Sequence, residues 1–350
     1  MFCQVEPEQV IAVHNVASTY HVPLLLEEQG LITTLNSILN LDAIVKAPAV
    51  VEKGQAVWKE WKSLTSSTER IYKHVNIVLV GKYTTLHDSY LSVIKSLEHS
   101  AMRCGKKLNL IWVDASNLEE ETQKTEPAIY HKSWRDVCTA DGILVPGGFG
   151  ARGTEGMIAA AKWARMNKTP YLGICLGMQI AVIEYARNVC GITGANSVEL
   201  DEKTEEPLVI FMPEIDATKL GGTMRLGLRP TLFQEGSEWS KIRKLYGGET
   251  EILERHRHRY EVNPAYVDRL KENGLEFVGK DDKGERMEIL ELKDHPYYVA
   301  VQFHPEYLSR VLHPSRPYLG FVAAASGCLE KITADGAMNG LTNGVKGVSI

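Results

Sequence analysis

The chain is 350 residues long, room for two domains at about 100–200 residues each. Hydrophobic residues make up 44% and charged residues 24%, the balance of a soluble globular protein. Its 39 basic residues against 44 acidic ones leave a net charge of −5, which argues against a general nucleic-acid or anionic-membrane binder.

No apolar run reaches the roughly 18 residues of a transmembrane helix. Met1 is followed by no basic n-region and no apolar h-region, so no secretory signal is expected. The six cysteines (Cys3, Cys104, Cys138, Cys175, Cys190 and Cys328) form no C-x-x-C pair, which fits a reduced, cytoplasmic protein.

At the start, residues 1–5 read as a strand. A second extended apolar stretch, Val10-Ile11-Ala12-Val13, lies within 8–16. Helices are expected over about 23–29 and 31–39. Some forty residues rarely bury a core of their own, so 1–41 reads as the tail of a larger domain. Residues 42–70 read as a linker. Pro48 breaks any helix there, 55–64 has amphipathic spacing, and Thr65-Ser66-Ser67-Thr68 reads as a polar loop.

From Val75 the pattern becomes regular. Apolar strands are expected over 75–80, 108–113, 142–145 and 171–174, with helices over 89–104, 157–166 and 176–187. In the first of these helices Leu91, Ile94, Leu97 and Ala101 recur at spacings of three and four. Alternating helices and fully apolar strands imply a mostly parallel sheet covered on both faces. After Val209 the pieces become shorter and β-rich, over 221–226, 277–279, 287–291 and 297–303, and 317–329 supplies a closing helix. Residues 200–207 read as a charged surface loop. Residues 331–350, glycine-rich and without aromatics, read as a disordered tail.

Cys175 sits in Gly173-Ile174-Cys175-Leu176-Gly177, a G-x-C-x-G directly between an apolar strand and a helix. That is the setting of a nucleophile elbow, where small neighbours let the backbone bend. The helix N-terminus behind it favours a thiolate and offers N–H groups to an oxyanion. A buried structural cysteine is the common alternative for a free thiol, and the elbow context outweighs it.

A cysteine nucleophile needs a base, and the base an orienter. The apolar strand at 297–303 runs into His304-Pro305-Glu306. Read as extended, it puts positions i and i+2 on one side, so that Glu306 can hold one ring nitrogen of His304 and leave the other for Cys175. A satisfied core histidine is the competing reading. The oxyanion partner is expected from Pro146-Gly147-Gly148-Phe149-Gly150, which follows the strand at 142–145, with Gly148 offering a bare N–H. Gly148 to Gly153 also matches G-x-G-x-x-G. No acidic residue ends a strand about 20 positions later, so a dinucleotide fold is disfavoured.

With Cys175 in the elbow and His304-Pro305-Glu306 downstream, the chain resembles the class I (triad) glutamine amidotransferases. The expected fold is then α/β and flavodoxin-like, a three-layer sandwich with a mostly parallel central sheet. Four strings are similar to the glutaminase domain of the CTP synthase family: Val145-Pro-Gly-Gly-Phe-Gly150, Gly173-Ile-Cys-Leu-Gly-Met-Gln179, Gly221-Gly-Thr-Met-Arg-Leu-Gly227 and Glu254-Arg-His-Arg-His-Arg-Tyr-Glu261. The resemblance covers about 71–330. It reaches residues 1–5 and 20–30, which look like the end of that family's amidoligase domain.

The resemblance implies a triad of Cys175, His304 and Glu306, with oxyanion N–H groups from Gly148 and Leu176. It implies L-glutamine held by Gly148, Leu176, Gly177, Met178, Gln179, Glu199 and Arg259. Glu199 meets the substrate's ammonium and Arg259 its carboxylate, an ion that suits a bidentate guanidinium. The His256-x-His258 spacing has no evident third ligand, so no metal is expected.

In the family the ammonia passes to the amidoligase domain, where ATP and Mg activate UTP for conversion to CTP, and GTP activates the glutaminase half. Phe149 and Arg152 are the expected GTP contacts. His14, Asn15 and Val16 match an ATP-contacting stretch. The glutaminase half needs no cofactor.

These 350 residues carry no G-x-x-x-x-G-K-[ST] phosphate loop, so the chain alone is not expected to amidate UTP. CTP formed from radiolabelled UTP, ATP and ammonium would refute that. A second reading is a non-catalytic assembly module or short regulatory form that joins full-length chains in cytoplasmic filaments through 130–134. A third, a γ-glutamyl hydrolase or cysteine peptidase, shares the elbow but has no need of the 221–227 and 254–261 strings.

Overall fold

The structure, a computed structural model, describes residues 4–16, 18–68, 71–212 and 224–334. The chain divides into two units, Met1–Ile71 and Tyr72–Ile350. No helix among the described residues is long and apolar enough to cross a membrane.

The smaller unit is helical, with α1 (Val22–Glu28), α2 (Leu31–Leu39) and α3 (Pro48–Thr68). Gly30, at φ 76°, turns the chain between α1 and α2 in a conformation that glycine adopts without strain. Pro48 opens α3 rather than breaking a helix, because the N–H it lacks would be unpaired there anyway. The Thr65–Thr68 segment is not a loop but the end of α3, and the Thr65 hydroxyl is satisfied inside the helix by the Trp61 carbonyl at 2.8 Å. Nor do Val10 to Val13 form a strand. Among the described residues no strand lies beside them, and the Gln29 side chain holds both the N–H and the C=O of Ala12, at 2.7 and 2.6 Å. Of the strand expected over 1–5, residues 1–3 lie outside the described residues, and Gln4 and Val5 are irregular.

The larger unit begins with β1 (His74–Gly81), α4 (Leu91–Arg103), β2 (Lys107–Asp114), α5 (Glu120–Thr125), α6 (Pro127–Thr139), β3 (Gly142–Val145), α7 (Thr154–Met166), β4 (Tyr171–Ile174) and α8 (Leu176–Asn188). It continues through β5 (Ala195–Ser197), β6 (Glu206–Phe211), β7 (Arg225–Phe233), α9 (Lys241–Leu245), β8 (Glu251–His258), β9 (Tyr260–Val262) and α10 (Pro264–Glu272). It closes with β10 (Glu276–Lys280), β11 (Met287–Glu291), β12 (Tyr298–Val301), α11 (Arg316–Ala325) and α12 (Leu329–Ala334). The expected tail therefore starts as helix, since α12 runs to Ala334; residues 335–350 and the glycines Gly221 and Gly222 lie outside the described residues.

Among the described residues the main sheet has nine strands in the order β2-β1-β3-β4-β12-β11-β10-β7-β8. The five strands from β2 to β12 run parallel, and the pairings from β12 onward to β8 are antiparallel. Strands β5, β6 and β9 form a small second sheet.

The apolar strands alternate between two cores, which is why they read as continuous hydrophobic runs. Val78 and Val80 of β1 and Tyr298 and Ala300 of β12 pack beneath α7 and α8. Ile77 and Leu79, with Val299 and Val301, pack against α4, α9 and α11 on the other face. This is the three-layer arrangement the sequence implied.

One ion pair in the first of these layers is a test of packing. The Glu184 carboxylate on α8 is fully buried and takes both Nε and Nη2 of Arg165 on α7, at 2.9 and 2.7 Å. Arg165→Met would leave that charge buried and unpaired, a loss of about 3–5 kcal/mol. Denaturant unfolding should show the loss, and a change within 1 kcal/mol would mean that water replaces the guanidinium.

Candidate active site

Parallel strands put their carboxyl ends at one edge, where ligands of open α/β sheets bind. Four loops meet there: after β1 (Lys82), after β3 (146–150), after β4 (Cys175) and after β12 (His304).

Cys175 stands at φ 53° and ψ −101°, a strained conformation for a residue with a side chain. The two glycines of its motif make the bend possible. A Cβ on Gly173 would lie 2.6 Å from the Gly177 carbonyl oxygen, and one on Gly177 would lie 2.1 Å from that of Val145. The Cys175 N–H is tied to Val301 of β12 at 2.8 Å, which fixes the elbow to the strand that delivers His304.

His304 and Glu306 do meet: Nδ1 and Oε1 are 2.7 Å apart. The cause differs from the extended geometry expected. Pro305 to Leu308 form a 3-10 turn with His304 as its cap, and the tight turn folds Glu306 back under the ring. The ring's other edge lies toward Cys175, whose sulfur acts on it electrostatically. Burial alone pushes the imidazole down. Glu306 and the Cys175 sulfur together outweigh it and hold His304 well above its ordinary value.

Gly147 is pressed against this pair, and a Cβ there would stand 2.9 Å from His304 Cε1 and 3.6 Å from Cys175 Cβ. Gly148 faces Leu176, whose N–H, first in α8, has no partner within the helix. Behind the loop lies a cation that escaped the sequence reading. Lys82 is buried, and its Nζ donates to the carbonyls of Phe149, at 3.3 Å, and of Gly150. Burial lowers its pKa to about 8, against the opposing pull of Glu199.

Glu199 accepts the Gly150 N–H at 3.0 Å. Arg152 is held by Asp114 at 2.9 and 3.1 Å, by Ser116 at 3.2 Å and by the Lys82 carbonyl, while Phe149 is half exposed. A cleft of about 340 Å³ opens onto Cys175 and His304 and is lined also by Tyr83, Tyr90, Gly147 and Arg257. Arg257 thus reaches the cleft. Arg259 lies two positions on, its carbonyl bonded to Met212 at 2.9 Å, in the electrostatic neighbourhood that Tyr260 shares with Glu199.

Leu176, Gly177, Met178 and Gln179 are all buried on the first turn of α8. The Gln179 side chain is turned toward Tyr260 and Gln302. Gln302, whose amide nitrogen lies 3.6 Å from Cys175 Sγ, was also missed, since a glutamine in a strand exit carries no motif of its own. In the smaller unit His14 and Asn15 are exposed and Val16 is half-buried. In the 130–134 segment His131 and Lys132 face solvent on α6, while Trp134 packs on the core against Trp163.

Comparison with known proteins identifies the family. Residues 85–324 match the family described as glutamine amidotransferase class-I. The chain is 62% identical to the CTP synthase of Neurospora crassa over 347 residues, covering 98% of this chain and 60% of that protein. It is 62% identical to the CTP synthase of Schizosaccharomyces pombe, covering 96% of this chain and 56% of that protein. It therefore spans somewhat over half the length of these curated relatives. Among solved structures, the glutaminase domain of Trypanosoma brucei CTPS with bound acivicin superposes with a TM-score of 0.66 at 39% identity, covering 72% of this chain and 94% of that domain. The chain belongs to the class I glutamine amidotransferases, and within them it is a homologue of the CTP synthase glutaminase domain.

Proposed function

We propose that this chain hydrolyses L-glutamine to glutamate and ammonia with a Cys175–His304–Glu306 triad, as the ammonia-supplying part of a CTP synthase. The observation that carries the reading is the 2.7 Å His304–Glu306 contact beside a cysteine held strained at a strand-to-helix bend.

The Cys175 thiolate attacks the side-chain amide carbon of glutamine, and the carbonyl oxygen becomes an oxyanion facing the Gly148 and Leu176 N–H groups. His304 gives its proton to the departing nitrogen, the C–N bond breaks, and ammonia leaves a thioester on Cys175. The neutral imidazole then takes a proton from water, and the hydroxide attacks the thioester. The C–S bond breaks, glutamate departs, and the thiolate and imidazolium are restored. Glu306 keeps the ring oriented and balances its charge throughout.

Glu199 and Arg259 are the proposed holders of the substrate's ammonium and carboxylate. Phe149 and Arg152 are proposed as contacts of an activating GTP, whose phosphates would compete with Asp114 for the Arg152 guanidinium. The acceptor of the ammonia is proposed to be a CTP synthase amidoligase domain, where ATP and Mg would supply the activation of UTP.

The experiment is glutamate release from glutamine together with labelling by a glutamine-derived chloroketone. The label is expected on Cys175 alone, glutamine should protect against it, and Cys175→Ala should release no glutamate. Equal inertness of both proteins with GTP present would favour a purely assembling role.

A further inference from the structure

A second side chain, besides His304, reaches the sulfur. Gln302 is buried where β12 gives way to His304, and its own N–H is fixed to the Glu288 carbonyl at 2.9 Å. Its amide nitrogen lies 3.6 Å from Cys175 Sγ, and its amide oxygen lies 3.4 Å from Gln179 Nε2.

Which end of an amide is nitrogen must be decided from its partners. Here the partners decide it. Gln179 Nε2 lies 3.4 Å from the Tyr260 carbonyl, and a carbonyl oxygen only accepts. The end of Gln179 that faces Tyr260 is therefore its NH2. The end of Gln302 that faces this NH2 must be its oxygen, which leaves the nitrogen of Gln302 for the sulfur.

The same carbonyl is held from behind. His258 Nδ1 lies 3.0 Å from it and must carry a hydrogen, and His258 Nε2 then accepts from His256 Nδ1 at 3.1 Å. Burial keeps both rings neutral, with His258 lowered to about 3 and His256 to about 2, so the direction of the chain is single. They face inward on β8, as Glu254 does, and His256 Nε2 lies 3.8 Å from Glu288 Oε2.

We infer that Gln302 is a further catalytic residue, an N–H donor aimed at Cys175 Sγ whose polarity is imposed through Gln179 by the Tyr260 carbonyl. Such a donor stabilises negative charge on sulfur and uses one of its lone pairs, leaving the others for the substrate carbon and His304. A flipped amide would present a carbonyl oxygen to the thiolate and repel it. Gln179 acts here as a positioning residue.

The inference rests on the proposed function only in taking Cys175 as the nucleophile, and its test needs no glutamine. The rate of Cys175 alkylation by iodoacetamide at neutral pH is read by mass spectrometry of the full chain, with thermal midpoints as the folding control. Gln302→Met, which keeps the unbranched shape, should slow alkylation about tenfold, the value of one hydrogen bond to a charged group. Gln302→Glu should be at least as slow, and it stands in if the methionine variant does not fold. Gln179→Leu should also slow the reaction, and the Gln179→Leu, Gln302→Met double variant should match Gln302→Met alone. In glutamine turnover Gln302→Met should lower kcat with little change in KM.

A Gln302 variant alkylated at the wild-type rate overturns the inference, as do single effects that multiply in the double variant. Slowed alkylation in the Gln302 variants, with a wild type that releases no glutamate, would defeat the hydrolase reading and leave this one standing.

Discussion

Glu306→Gln is expected to lower kcat/KM for glutamine by roughly a hundredfold or more while leaving the fold intact. The amide has the shape of the carboxylate and can still hold the ring at Nδ1. What it removes is the charge. Burial pushes His304 down, and Glu306 and Cys175 outweigh that push, so in the wild type the imidazolium persists above the ordinary value of 6.5 and is lost only as pH rises through the raised one. Without the carboxylate one of the two pulls that oppose burial is gone, and the imidazolium is lost at lower pH.

Two measurements follow from that shift. The alkaline limb of the kcat/KM profile should move to lower pH in the variant. The raised pKa also contributes stability that is fully present below 6.5 and fades as pH climbs through the folded value. The gap in thermal midpoint between wild type and Glu306→Gln should therefore be widest near pH 6 and narrow toward pH 9. An unmoved alkaline limb would show that Glu306 orients the ring without setting its charge.

What could be read from sequence were features whose cause is local. Tyr171–Ile174 and Leu31–Leu39 appear at the bounds expected, because an apolar run and a helical repeat are each written within a few residues. The G-x-C-x-G motif was legible for a steric reason, since each glycine meets a carbonyl oxygen too closely for any side chain.

Other features had readable signals that were passed over. Pro127 opens α6, and Asn263 caps α10 ahead of Pro264, both ordinary helix starts. The Val10–Val13 stretch has strand composition but, among the described residues, no neighbour to pair with, and composition cannot report a missing partner. His304 and Glu306 were paired for the wrong geometric reason, since an i, i+2 contact can be made by a strand or by a tight turn.

Lys82 and Gln302 belong to a third class. Lys82 acts on a loop more than 60 positions away and Gln302 on a sulfur 127 positions away, and nothing around either residue in the chain marks it. Only the sheet order, which sets β1, β3, β4 and β12 side by side, brings such residues together.

Gly147→Ala should be the most damaging single methyl in the loop. Its Cβ would stand 2.9 Å from His304 Cε1, inside the closest approach that carbon atoms tolerate. The ring has little freedom to yield, because Glu306 holds it at 2.7 Å on one side and Cys175 lies on the other. The imidazole must swing off the sulfur or the loop must lift from β4, and either move separates base from nucleophile. A displacement of about 1 Å in such a pair costs on the order of a hundredfold in rate.

Gly148→Ala is the internal control. There the nearest atoms are Leu176 Cδ2 at 3.4 Å and Lys82 Cδ at 3.6 Å, ordinary contacts with side chains that can shift slightly. Gly148→Ala should therefore keep most of the turnover, and both variants should unfold within a few degrees of wild type. If Gly147→Ala retains full glutamate release, His304 is not seated over Cys175 in the working enzyme. If the two alanines are equally harmful, the loop matters for its flexibility rather than for the space that Gly147 leaves open.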